Sequence, residues 1–393
     1  MVPCDTVVYG IHWGGIVRRC PAMSGKHEQK KSQYPLRWLI LGTVLILAVA
    51  GVTVWRGGML HRDSGQEQLR KENERYTFDS GVQQVYAGLE NGVAVASSTG
   101  LQILDGDGYT VVRNVVSLST PALTAGDSAA AVYDVGGTAL RVGTLRGDVT
   151  VLDTESETIY SANMNDAGWL AVVTSETGYK GCVTVYNAEM GAVYAWHSGN
   201  SYVLSARVSP DCRTLAVLTL SETGSAVQTF ALSSDKEYGV YSADNQLLYD
   251  FDFLSNDKLC AVSDDGLLFF NTAGNDGGSY SFAGAFLSGY SFAGDGFATL
   301  MLSQSLSSSA GTVLTVGYGG SVTGQLLTEE SVQNISVREK QVMLRYSDSA
   351  AIYTQALEEQ ERAAETGGAK NSVLTGKNRG FLLFSGHCEP LKF

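Results

Sequence analysis

Short, predominantly apolar runs recur along the chain at near-regular intervals. They are Val93-Ala94-Val95-Ala96, Ala129 to Tyr133, Trp169 to Val173, Leu215 to Leu218, Leu259 to Val262, Phe297 to Leu302, Val342 to Leu344 and Phe381 to Phe384. Their starting positions are 36, 40, 46, 44, 38, 45 and 39 residues apart. The mean spacing of about 41 suits a four-stranded propeller blade. Most runs are followed by a turn containing Gly or Ser and then a second apolar strand, as at Leu101 to Leu104, Cys182 to Tyr186, Leu267 to Phe270 and Ala351 to Tyr353. That is the pattern of a hairpin.

The third and fourth units repeat residues as well as pattern. Ala171-Val-Val-Thr leads to Ser175-Glu-Thr-Gly178, and Ala216-Val-Leu-Thr leads, one residue later, to Ser221-Glu-Thr-Gly224. Units of this size cannot bury both faces alone, so they stack, either linearly or around a closed ring that leaves fewer bare edges. We expect an all-β fold over residues 76–393, a β-propeller of about eight four-stranded blades. Seven is the alternative, if the weak final unit only completes the first. That unit offers strands near Ser372 to Thr375, Phe381 to Phe384 and Leu391 to Phe393, and Tyr76-Thr-Phe78 is placed to supply its missing strand. The polar segment Glu358 to Lys370 interrupts the pattern and reads as a loop insertion or a short helix ending at Gly367-Gly368.

One segment departs from strand periodicity. Trp38 to Trp55 is 18 residues without a charge, and Leu36 extends it. A helix of roughly 20 residues crosses about 30 Å of hydrocarbon with its backbone groups satisfied internally. Uniform apolarity leaves no polar face for a core helix, and Trp55-Arg56 closes the run where a cleaved signal would carry small residues. Residues 36–55 therefore read as an uncleaved transmembrane helix, 1–35 as a short cytoplasmic tail and 56–75 as a linker. Translation is expected to begin at Met23, because residues 1–22 differ in texture from the rest of the chain. Six Lys or Arg in residues 18–37 against five in 56–75 barely set the orientation. The short tail and the large Ser/Thr/Gly-rich acidic domain favour the N-terminus inside and the propeller outside the cell membrane.

Composition agrees with strands and turns: 45 glycines stand against 6 prolines. Beyond residue 37 the chain carries 21 basic and 38 acidic residues. So acidic a surface repels phosphate backbones, and nucleic acid is not an expected partner. The expected partners are the bilayer, through residues 36–55, and an envelope protein or glycan.

Candidate chemistry is sparse, and the sequence singles out no catalytic, cofactor-binding or metal-ligating residue. The six cysteines, Cys4, Cys20, Cys182, Cys212, Cys260 and Cys388, show no CxxC or CxxH spacing, and Cys182 and Cys260 sit in apolar runs as small hydrophobes. Only His197 and His387 fall within the repeats. Asp105-Gly-Asp107-Gly108 echoes part of a calcium loop but lacks its distal glutamate, and it reads as a hairpin turn, as does Asp264-Asp265-Gly266. Tyr280-Ser-Phe-Ala-Gly284 recurs as Tyr290-Ser-Phe-Ala-Gly294, which puts aromatics on what we expect to be neighbouring strands, buried as sheet packing or exposed as a binding patch.

A short basic tail, one uncleaved helix and a Gly/Ser-rich ring of such units together resemble a family of single-pass membrane proteins of Firmicutes, that of the domain of unknown function 5711. The resemblance spans nearly the whole chain after Met23. It implies the fold and topology and no known activity. The blade pattern is also similar to WD40-like and quinoprotein-like propellers. The expected role is a binding or scaffold module of the cell envelope. The alternatives are an extracellular hydrolase or lyase with carboxylates gathered at the channel mouth, and an envelope sensor working through the helix.

Overall fold

The computed structural model describes residues 75–393 apart from 235, 306–310 and 365. The expected transmembrane helix at 36–55, the expected tail and nearly all of the expected linker lie outside the described residues. Among the described residues no helix is long and apolar enough to cross a membrane.

The described chain folds into eight antiparallel sheets in sequence order, seven of four strands and one of three. We number them as blades 1 to 8, spanning 85–115, 121–152, 159–198, 202–244, 248–281, 286–328, 334–364 and 371–392. Within each blade consecutive strands are neighbours, so every unit is a meander of hairpins. The first strand of each blade contacts the first strands of the blades before and after it, and that of blade 8 contacts that of blade 1. The ring is closed.

All eight apolar runs fall in the second strands, for example Gly92–Ser97, Ala129–Asp134, Leu170–Thr174 and Phe297–Ser303, each fully buried. These strands are apolar at successive positions, rather than at alternate ones, over most of their length because both faces are covered. In blade 3, Leu170 and Val172 pack with Ile159 and with blade 2, while Ala171 and Val173 pack with Val203 and Val217 of blade 4. Successive side chains of a strand point to opposite faces, so one run feeds two cores. The eight buried clusters each join two consecutive blades. The Ser-Glu-Thr-Gly repeats occupy the same hairpin of blades 3 and 4, where Gly178 (φ +91°) and Gly224 (φ +124°) take backbone conformations that glycine reaches without a Cβ penalty.

Closure uses the segment expected from the sequence. Thr77 bridges His387 antiparallel, the Phe78 amide donates to the Gly386 carbonyl at 3.0 Å, and the Cys388 amide donates to the Tyr76 carbonyl at 2.8 Å. Phe78 is buried among Val93, Val95, Phe381 and Leu383, at the seam of blades 8 and 1. The Asp105–Gly108 motif is a turn that serves this seam. Asp105 accepts the amides of Asp107 (3.0 Å) and Tyr109 (2.9 Å), and the bare α-carbon of Gly108 receives the Tyr76 ring.

Two expectations are corrected. The segment 358–370 is neither helix nor insertion, since Glu359–Ala364 is the outermost strand of blade 7. The open ladder of Ser349–Thr354 outweighs the helix propensity of EEQERAA. The two Tyr-Ser-Phe-Ala-Gly copies are not on neighbouring strands. The first ends the outermost strand of blade 5 and the second lies in the innermost strand of blade 6, yet Phe282 and Phe292 reach one core.

Candidate functional site

All eight innermost strands run through their blades in the same sense, so the central channel has one end lined by their C-terminal ends and another rimmed by their starts. The C-terminal ends and the turns after them enclose a polar cavity of about 780 Å³ lined by residues from every blade. Its charged groups are Glu90, Asp127, Asp166, Arg207, Asp252, Asp295, Arg338 and Glu339. Turns place the carboxylates: an acidic residue precedes each of the first seven apolar runs, at Glu90, Asp127, Asp166, Asp211, Asp257, Asp295 and Glu339.

The turns are stitched to one another around the ring. The Glu90 amide donates to Asp127 (2.7 Å), the Asp127 amide to Asp166 (3.1 Å), the Asn91 amide to Thr375 (2.8 Å) and the Asp295 amide to Glu339 (2.8 Å), all to main-chain carbonyls. Arg338 of blade 7 forms an ion pair with Asp127 of blade 2, across the seam of blades 8 and 1. Arg207 of blade 4 reaches Asp250 (3.0 Å) and Asp252 (3.1 Å) of blade 5, and the Tyr290 hydroxyl of blade 6 donates to Asp250 at 3.1 Å. Arg207 Nε is buried without a partner among the described residues.

Burial dominates the electrostatics here. It pushes the Asp252 carboxyl up to about 6, with Arg207 opposing and Asp250 and Asp166 adding to the rise. Burial also raises Asp166, helped by the nearby Asp127 carboxylate. The Tyr290 phenol is raised by burial and then by Asp250. Desolvation disfavours the charged form of an acid, so Asp166 and Asp252 hold protons at a pH where free carboxyls have lost theirs.

The opposite rim has different chemistry. Tyr160 (47% exposed), Tyr202 (57%), Tyr249 (58%) and Phe286 (44%) stand at the first or second position of the innermost strands of blades 3 to 6. In blades 3 and 5 the register slips at Tyr160 and Tyr249, and in blade 4 at Leu204, two residues beyond Tyr202, so each of these strands bulges at or near its exposed tyrosine. Between blades 3 and 4, Tyr160, Tyr179, Lys180, Tyr202 and Leu204 line a mainly apolar pocket of about 490 Å³. The Lys180 ammonium lies 4.6 Å from the centre of the Tyr202 ring and donates to its hydroxyl at 3.2 Å.

Beside this pocket the structure gathers residues that sequence spacing kept apart. Cys182 and His197 are direct cross-strand partners in blade 3. Glu176, in the turn before Cys182, has its carboxylate 2.8 Å from His197 Nε2. The ligating atoms of all three lie within 4.8 Å of one another. Burial, with Glu176 second, pushes the Cys182 thiol up to about 11. Cys260 is wholly buried in the core between blades 5 and 6, as a small hydrophobe should be.

Sequence reasoning missed the acidic turns because each lies about one blade length from the next, and Arg207 and Arg338 because their partners Asp250 and Asp127 lie 43 and 211 residues away. The recurrent acid before each apolar run was the signal that could have found the turns.

The fold and its polar-cored channel define an eight-bladed β-propeller. The sequence matches the model of a family of unknown function, DUF5711, over residues 66–387, and the chain belongs to that family. No curated protein matches it. Among solved structures, the C-terminal WD40 domain of Sif2 is similar with a TM-score of 0.56 at 12% identity, covering 81% of this chain and 97% of that one. Apo AztD from Citrobacter koseri has a TM-score of 0.49 at 9% identity, covering 72% of this chain and 86% of that one. These likenesses are of fold alone.

Proposed function

We propose that this chain is a membrane-anchored, extracytoplasmic β-propeller that works as a binding or scaffold module of the Firmicutes cell envelope. It is held in the bilayer through residues 36–55, N-terminus inside, and its partner, an envelope protein or a glycan, docks on the aromatic rim of blades 3 to 6. The observation that carries this reading is the exposure of Tyr160, Tyr202, Tyr249 and Phe286 at one rim, outside every core cluster among the described residues. Exposed aromatics gathered on one face are characteristic of recognition surfaces. The 18-residue uncharged run from Trp38 to Trp55 supports the anchor. Crosslinking and pull-down of the intact protein in its own membrane test the proposal. Recovery of a specific partner that Tyr202→Ala and Tyr249→Ala together release supports it. Recovery unaffected by these substitutions contradicts it.

A hydrolase or lyase site at the polar end of the channel is the second reading, favoured by Asp166 and Asp252, whose carboxyls are held above the usual range. A raised carboxylic acid is suited to general acid work. Turnover of an envelope glycan or peptide that Asp252→Asn abolishes would replace the first reading with this one.

A further inference from the structure

We propose that Glu176, Cys182 and His197 form a binding site for a divalent transition metal of the zinc class, built on the outer half of blade 3. The inference is independent of the aromatic docking surface. Its starting point is register. Thr174 pairs with Cys182, and Cys182 pairs with His197, so the three occupy one row across three strands and share a face of the blade. Glu176 follows Thr174 by two residues and turns its carboxylate back over that row, to within 2.8 Å of His197 Nε2.

The donors suit one class of ion. A thiolate with an imidazole and a carboxylate is a soft-to-borderline set that selects zinc or cobalt over magnesium and calcium, which take oxygen alone. Donors bound to one zinc at roughly 2.0 to 2.3 Å stand about 3.3 to 3.8 Å apart in tetrahedral geometry. The three ligating atoms already lie within 4.8 Å of one another. Closing the set therefore takes side-chain rotations of about an ångström, with no movement of the paired strands. The thiol proton passes to solvent as the sulfur binds.

The surroundings hold the set in place. The Tyr179 ring lies 4.9 Å from the His197 imidazole, at the exposed side. Cys182 is buried beneath, between Thr174 and Thr184. Glu176 also lines the Tyr160–Tyr202 pocket. Three protein ligands leave a fourth position for water or for a donor group brought by a bound molecule.

The test uses the full chain in detergent, stripped with a chelator and titrated with cobalt(II) while the sulfur-to-cobalt absorption band is recorded, followed by displacement with zinc. The expected result is a thiolate band at one cobalt per chain in the parent protein and in Cys212→Ser. It disappears in Cys182→Ser, and His197→Ala and Glu176→Gln weaken the affinity by more than about tenfold. His197 is 38% exposed in its side chain and Glu176 34%, so these two variants keep the fold, and a thermal melt verifies that. Absence of a thiolate band in the parent protein, or a band that survives in Cys182→Ser, overturns the proposal. Retention of parental affinity by both His197→Ala and Glu176→Gln overturns it equally.

Discussion

The two ends of the channel are built from the same eight strands and do opposite things with polar and apolar groups. At the C-terminal ends of the innermost strands, charged side chains are turned inward and both arginines are matched to carboxylates: Arg207 with Asp250 and Asp252, Arg338 with Asp127. At their starts, Tyr160, Tyr202, Tyr249 and Phe286 are left about half exposed, where fuller burial would be favourable. A charged group in a partly desolvated cavity needs its counter-charge, and once matched it has little left to offer a partner. An exposed aromatic keeps its apolar surface in reserve for an encounter. On the proposed reading, cohesion belongs to the polar end and recognition to the aromatic rim.

The largest expected effect tests whether the ends belong to one cooperative ring. Phe78→Ala empties the seam between blades 8 and 1 and should cost about 3 to 5 kcal/mol in urea unfolding. Both ends should be lost in a single transition; separate transitions would show that the ends are independent. Next comes the polar end itself. Arg207→Ala leaves two carboxylates facing each other, and because the Arg207 side chain is 19% exposed the cost should sit at the lower end of the buried range, about 3 kcal/mol. Arg338→Ala should cost only about 1 kcal/mol, since Asp127 is 40% exposed and solvent screens it.

Asp252 gives the comparison a pH signature. Its folded carboxyl, up to about 6, binds the proton more tightly than the unfolded chain does, so its ionisation penalises the fold above that pH. The penalty fades as pH falls from about 6 toward 4. Glu359, held below the usual range by Arg362, runs the other way and loses its stabilisation on acidification. The difference between parent and Asp252→Asn cancels that contribution. Across this interval the parent should gain stability relative to the variant as pH falls, and a flat difference would remove Asp252 from the account. The smallest stability effect belongs to the rim. Tyr202→Ala, at a residue 57% exposed, should change stability by less than about 0.5 kcal/mol while reducing partner capture.

These regions were unequally legible in the sequence. The second strands stood out because each is covered on both faces, which makes the run apolar at nearly every position. Tyr76-Thr-Phe78 could be placed because the last unit lacked a strand. Glu359–Ala364 could not, because an outermost strand packs on one side only and its composition favours helix until the neighbouring ladder decides. The second Tyr-Ser-Phe-Ala-Gly copy misled for a related reason: the motif is identical, but one copy ends a blade and the other lies in the strand that begins the next. The channel and the Glu176, Cys182, His197 row were hidden for want of register. Cys182 and His197 are 15 residues apart, and only the antiparallel pairing of their strands sets them side by side.

The most direct measurement is photocrosslinking of the intact protein in its native membrane, with the reactive group placed at position 202 in one sample and at position 252 in the other. The account predicts a specific adduct from position 202 and none from position 252. An adduct from position 252 alone would contradict it and move recognition into the channel.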